Sequence, residues 1–175
     1  MRQGGFSLIE LLVAMTIAAV LLAIAIPSFD SATLSTTAGK YAGNVADSAL
    51  LARGEAIRRN ATVTVCVSAD GASCTTGGWE QGWIVYCKTT DQVNCDSAGA
   101  GMLVMQTQGA AKTGWKITEA SGLAQLNFDP SGTGATAASM TACRATPTVG
   151  TQQRQVRISA TGRPSVTKTT GTSCS

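Results

Sequence analysis

The run from Phe6 to Ile26 constrains this chain more than any other stretch. Apart from Glu10 it carries no charge, and Arg2 and the pair Gly4-Gly5 precede it. As a helix it spans about 31 Å at about 1.5 Å per residue, which matches a hydrocarbon core of about 30 Å. An acid just inside such a helix costs up to about 2.5–3.5 kcal/mol at mid-bilayer on insertion scales, and less near the headgroups. Something must offset that cost. Ala23-Ile24-Ala25 has the small-x-small form that signal peptidase cuts, so an ordinary secretory signal competes as a reading, as does a plain N-terminal anchor. Neither accounts for Gly-Phe placed directly before an acid inside the apolar run.

Gly5-Phe6-Ser7-Leu8-Ile9-Glu10 resembles the class III signal of type IV pilins and type II secretion pseudopilins. The resemblance implies that a prepilin peptidase cuts between Gly5 and Phe6 and that the new N-terminal Phe6 is methylated. Glu10 then becomes the fifth mature residue and Pro27 the twenty-second, where pilins commonly carry a helix-kinking proline. A mature amine at Phe6 would pair with Glu10 of a neighbouring subunit and neutralise both charges away from water.

Beyond the apolar run about 150 of the 175 residues remain, enough for one small domain with its own core. Charged residues are only 13% and aromatics 5%, while Gly, Ser, Thr and Ala are abundant, which suits a turn-rich β domain outside the cytoplasm. With no histidine, histidine-based catalysis and His-ligated metal sites are excluded. Formal charge is +3, and +2 once Arg2 leaves with the leader, too small alone to imply a polyanionic partner. The distribution is uneven, since no Asp or Glu follows Asp129 whereas Arg144, Arg154, Arg157, Arg163 and Lys168 do.

Six cysteines downstream of an export signal read as three disulfides formed in an oxidising compartment. No Cys-x-x-Cys pair occurs, so neither zinc nor any other cofactor is expected. The equal spacing of Cys66 to Cys74 and of Cys87 to Cys95, each across a turn-rich segment, favours those two pairs and leaves Cys143 with Cys174.

Pro27 should kink the helix where it leaves the membrane. The Ser/Thr-rich stretch that follows, residues 30–39, has weak helix propensity and could loosen. From Lys40 the helical signal strengthens, with Tyr41, Val45, Ala49, Ala52 and Ala56 forming one apolar stripe to pack on a sheet. Asn60 is a stop signal, and Arg53, Glu55 and Arg58 read as a solvated face. After Asn60 the period changes to two. Strands are expected at residues 62–67, 83–87, 102–105, 115–118 and 123–128, and in a final hairpin of 154–159 with 165–168. Residues 131–139 read as a long low-complexity loop. The fold class is therefore α+β, a long N-terminal helix laid on antiparallel sheet. The expected divisions are a leader at 1–5, a transmembrane or filament-core helix at 6–26, its amphipathic continuation at 27–60 and a β-rich domain at 61–175.

Later segments narrow the resemblance. The helix-to-strand junction Ala49 to Cys66, the segment Gly78 to Val85, and Val156 to Arg163 are similar to the GspH/FimT/FimU family. That family implies a minor subunit that helps start or cap a filament, with other minor pilins and a major pilin as partners. It implies no enzyme, and no nucleophile here sits in a motif with a base. It further implies a single pass through the bacterial inner membrane, with the β domain in the periplasm before entry into the extracellular fibre. Three functions follow: a minor type IV pilin near the tip, an H-type minor pseudopilin of a type II secretion system, or a DNA-capturing minor pilin. DNA-capturing relatives carry Gly-Arg-x-Arg near the C-terminus, whereas here Gly162-Arg163-Pro164-Ser165 lacks the second Arg. Arg154 and Arg157, three apart on a strand, should face opposite sides, so at most one could join Arg163 on DNA.

Overall fold

Leu8–Arg59 forms one helix, α1, in the computed structural model of the chain. The structure describes residues 7–88, 95, 101–146, 149–171 and 173–174, with the backbone alone at 25–28. The Ser/Thr-rich stretch is helical, and hydroxyls in it bond back to the helix's own carbonyls. Thr33 Oγ1 donates to the Phe29 carbonyl at 2.8 Å, and Thr36 Oγ1 to that of Ala32 at 2.9 Å. Asn60 ends α1 in a left-handed conformation (φ 49°) that returns its N–H to the carbonyls of Ala56 and Ile57. The buried seam of α1 runs through Leu34, Ala38, Tyr41, Ala42, Val45, Ala49, Ala52 and Ala56. Methyl-sized side chains let the helix axis approach the sheets closely.

Eight strands follow: β1 (Val63–Val67), β2 (Trp83–Lys88), β3 (Met102–Gln108), β4 (Trp115–Glu119), β5 (Gln125–Phe128), β6 (Ala138–Arg144), β7 (Gln152–Ile158) and β8 (Pro164–Thr170). They make two antiparallel sheets rather than one, ordered β3-β2-β1-β5 and β4-β6-β7-β8. The chain lays down β4 in the second sheet, returns to the first for β5, and then completes the second. Both sheets face α1. Its alanine seam shares one core with Val63, Val65, Trp83 and Phe128 of the first sheet and with Ile117, Met140, Val156 and Ile158 of the second. The α+β class expected from the sequence is the one observed.

Two expectations need correction. The loop over 131–139 is shorter than its composition suggests, because Ala135 bridges to Phe128 and β6 begins at Ala138. In β6, Ala138, Met140 and Ala142 turn to the core while Ser139 and Thr141 are only half-buried, so the period of two was present in poor strand formers. Arg53 is also not simply a solvated residue. It is half-buried, and its Nε donates to the Gly132 carbonyl at 3.3 Å, tying the end of α1 to the β5–β6 loop. Glu55 pairs with Arg58 at 2.6 Å and Arg59 at 2.7 Å. The hydrogen bond from Arg58, seconded by Arg59, holds its carboxyl below the usual carboxylate range.

Trp79 opens a short 3-10 turn (Trp79–Gln81) and Trp83 begins β2, and both indoles are buried with ring centroids 6.2 Å apart. Trp79 Nε1 donates to the Leu123 carbonyl at 2.8 Å, and Trp83 Nε1 to Ser48 Oγ of α1 at 2.9 Å. They are core anchors, not a ligand platform. Disulfides join Cys66 to Cys74, Cys87 to Cys95 and Cys143 to Cys174.

Candidate assembly interface

Glu10 lies in the first turn of α1, where an acid suits the positive end of the helix dipole. Ser7 and Glu10 have the spacing of a capping box, yet the Ser7 side chain makes no cap bond, and the first turn closes through Leu11 N–H to the Ser7 carbonyl at 3.2 Å. Glu10 is exposed and makes no ion pair among the described residues. Gly5 and Phe6, where cleavage and methylation are expected, lie outside the described residues. So does the side chain of Pro27, although α1 carries its backbone through that position.

Around and beyond Glu10, none of the other described residues covers the helix. Its large apolar side chains from Leu8 to Ile24 are all exposed, from 50% at Val13 to 78% at Leu8. This stem is long and apolar enough to cross a membrane. Thr16 does not interrupt it, since Oγ1 donates to the Val13 carbonyl at 2.8 Å and hides its polarity within the helix. An apolar surface of this extent is not left in water. In lipid or among other helices, a lone charged carboxylate in the first turn of the stem would be costly.

The body grips α1 just past the stem. Arg144 Nη1 of β6 reaches Asp30 Oδ1 at 3.4 Å, and Arg154 Nη2 of β7 donates to Ser35 Oγ at 2.9 Å, on either side of buried Leu34. These contacts escaped the sequence reading, because nothing local to Asp30 or Ser35 announces partners more than a hundred residues away.

The three arginines considered for a polyanion are thereby separated. Arg154 faces α1. Arg157, on the opposite face of β7, lines a recess of about 460 Å³ together with Arg163 of the β7–β8 turn. Buried Glu119 also lines that recess. Its Oε2 accepts the N–H groups of Ser121 and Leu123 at 2.7 and 3.0 Å, and its Oε1 accepts that of Ser139 at 3.2 Å. Its solitary place at a strand end gave no sequence signal for this role. Among the described residues no cluster of metal-ligating side chains occurs.

Residues 42–162 match the family model for type II transport protein GspH, and residues 1–26 match that for the prokaryotic N-terminal methylation motif. No curated protein sequence matches the chain. Its fold is similar to that of the type IV minor pilin FimU of Pseudomonas aeruginosa, at 17% identity and a TM-score of 0.52 over 74% of this chain and 91% of that one. It is equally similar to the minor pseudopilin EpsH from the Type 2 Secretion System of Vibrio cholerae, at 18% identity and a TM-score of 0.53 over 75% and 96%. At such identities the likeness is one of fold.

Proposed function

The chain belongs to the GspH family, and from that premise we propose that it is a minor type IV pilin. In this reading a prepilin peptidase cuts between Gly5 and Phe6 and the amine of Phe6 is methylated. The stem then holds the protein in the inner membrane, with the β body on the periplasmic side, until it joins other pilins in a fibre, at or near the tip. The carrying observation is the uncovered stem with Glu10 in its first turn, continuous with a helix half whose apolar seam the body buries. Such a subunit can exchange lipid for neighbouring helices without unfolding its body. Pairing Glu10 with the Phe6 amine of a neighbour removes two charges from an apolar setting at once.

Intact mass and N-terminal peptide sequencing test the first step, with N-methyl-Phe6 as the expected start. A start at Ile26 would sink the reading. Glu10→Leu should leave the amount in membranes unchanged while lowering the amount in sheared fibres severalfold, and equal incorporation of mutant and wild type would remove the charge pair from the account. The similarity to EpsH supports a second reading, a minor pseudopilin. Deletion separates the two: fibre loss with protein export intact supports the pilin, and export loss with fibres intact supports the pseudopilin.

A further inference from the structure

The recess beside the β7–β8 turn has a composition that the stem does not explain. Ser139, Arg157 and Ser165 lie in register across β6, β7 and β8, so one row of side chains carries a guanidinium between two hydroxyls. Arg157 is braced by Gln155 Oε1 at 3.2 Å on the same face. Arg163 is positioned by a tight hairpin end, in which its N–H donates to Ser159 Oγ and its carbonyl accepts the Ser159 N–H, both at 3.1 Å. Gly162 permits this fit. Its φ is +70°, and a Cβ there would press on Arg53 at 3.0 Å and on Phe128 at 3.2 Å, so the turn sits flush against the body.

Neither guanidinium has an ion pair among the described residues. The carboxylate among the described lining residues, Glu119, already accepts three backbone N–H groups. No Asp or Glu follows Asp129 in the chain, so the segments that carry Arg157 and Arg163 supply no acidic side chain of their own. The recess also carries alkyl surface from the exposed Ala120 and Ala137. Two guanidiniums in one pocket beside alkyl surface suit a compact carboxylate on a short apolar stalk, since the guanidinium fork binds carboxylate through paired charge-assisted bonds. They do not suit a nucleic acid, which needs cations along a track. Arg154 faces α1, and Lys168, opposite it in register, shares that other face.

We propose that this recess docks an acidic side chain, glutamate or aspartate, presented by a neighbouring subunit of the assembly. The proposal rests on the filament reading for the identity of its partner and on the recess alone for its chemistry. The test uses the full chain in detergent micelles and a labelled short peptide with two glutamates among small residues, beside its glutamine counterpart. The glutamate peptide should bind saturably at physiological salt, and the glutamine one about tenfold more weakly, equivalent to about 1.4 kcal/mol. Arg157→Gln and Arg163→Gln should each cause a loss of similar size. Lys168→Gln removes the same charge from the other face and should leave binding unchanged.

Equal binding of the two peptides, absence of saturable binding, or an equal loss with Lys168→Gln would each overturn the proposal. So would a short DNA duplex held by the same two arginines in preference to the peptide. Both arginines are exposed, so the variants keep the core intact, and an unchanged thermal midpoint checks this. The assay makes no use of fibres. Its failure leaves the pilin reading standing, and failure of that reading shows instead in the mass and incorporation measurements.

Discussion

The two halves of α1 are built from opposite materials. From Leu8 to Ile24 the helix carries Leu, Ile, Val and Met, and every one of these is exposed. From Leu34 to Ala56 its buried seam is mostly alanine, and Ala38, Ala42, Ala52 and Ala56 have no exposed surface. Large side chains therefore sit where the chain offers no cover, and the smallest where cover is complete. Side-chain size here follows the neighbour rather than the strength of the hydrophobic drive. The sheets are part of the same molecule and can be brought against the helix backbone, which needs methyl groups. Lipid tails would come from outside the chain, and a broad aliphatic surface suits them.

Substitutions of similar chemistry should consequently act very differently in the two halves. Ala52→Leu inserts volume where no space remains and should destabilise the body by about 1–3 kcal/mol. Val13→Ala should leave its unfolding midpoint unchanged. Denaturant titration of both variants in micelles, followed by tryptophan fluorescence, measures this directly because all three tryptophans belong to the body. Equal losses in the two variants would mean that stem and body fold as one cooperative unit, and the comparison would fail.

A smaller effect sharpens the same contrast. Ser48 is a buried serine on α1, and its hydroxyl links the helix to both β2 and β3. It accepts from Trp83 Nε1 at 2.9 Å and reaches Gln106 Oε1 at 3.3 Å. Ser48→Ala should cost about 1–2 kcal/mol, because it leaves a buried indole N–H without an acceptor. Trp83→Phe removes that donor, so a double-mutant cycle should show the two losses to be strongly non-additive. Additive losses would show that packing, not the hydrogen bond, is what Ser48 contributes.

Features that lie along the chain were legible in the sequence. The stem and Glu10 are contiguous, and the spacing of Tyr41, Val45, Ala49, Ala52 and Ala56 marks a helix seam before any partner is known. The division into two sheets was not legible. It depends on β5 pairing with β1 across a gap that contains β4, a choice settled by tertiary packing rather than by local preference. β6 was hidden by composition, since Ala, Ser and Thr alternate correctly but score poorly as strand formers. The recess was hidden for a third reason. Glu119, Ser139, Arg157 and Arg163 come from four separate segments, and only the completed second sheet brings them together. Gly162-Arg163 drew notice as a motif, but nothing in the sequence shows that Arg157 joins Arg163 while Arg154 turns away.

The smallest expected effect concerns acid and again belongs to the body. In the β1–β2 loop, Asp70 Oδ2 accepts the Ser73 hydroxyl at 2.7 Å, and Oδ1 accepts the N–H groups of Ser73 and Ala72 at 2.9 Å and the Ser68 hydroxyl at 3.0 Å. Led by the Ser73 hydroxyl bond, these donors hold the carboxyl far below its ordinary range. A depressed folded value means that the unfolded chain binds the proton more readily. The loop's contribution is therefore complete above the ordinary carboxylate value of about 4 and declines as pH falls below it. Asp70→Ala should lower the thermal midpoint slightly at pH 7, and the difference from wild type should shrink steadily from about pH 4 downward. Cys66–Cys74 already closes this loop and limits what its opening can change, which keeps the effect small. Glu10→Gln in the stem should not alter the pH dependence of the body at all, because no described residue of the body packs there. A difference between Asp70→Ala and wild type that persists undiminished at pH 2 would show that the loop is held by its disulfide and backbone alone, with the carboxylate incidental.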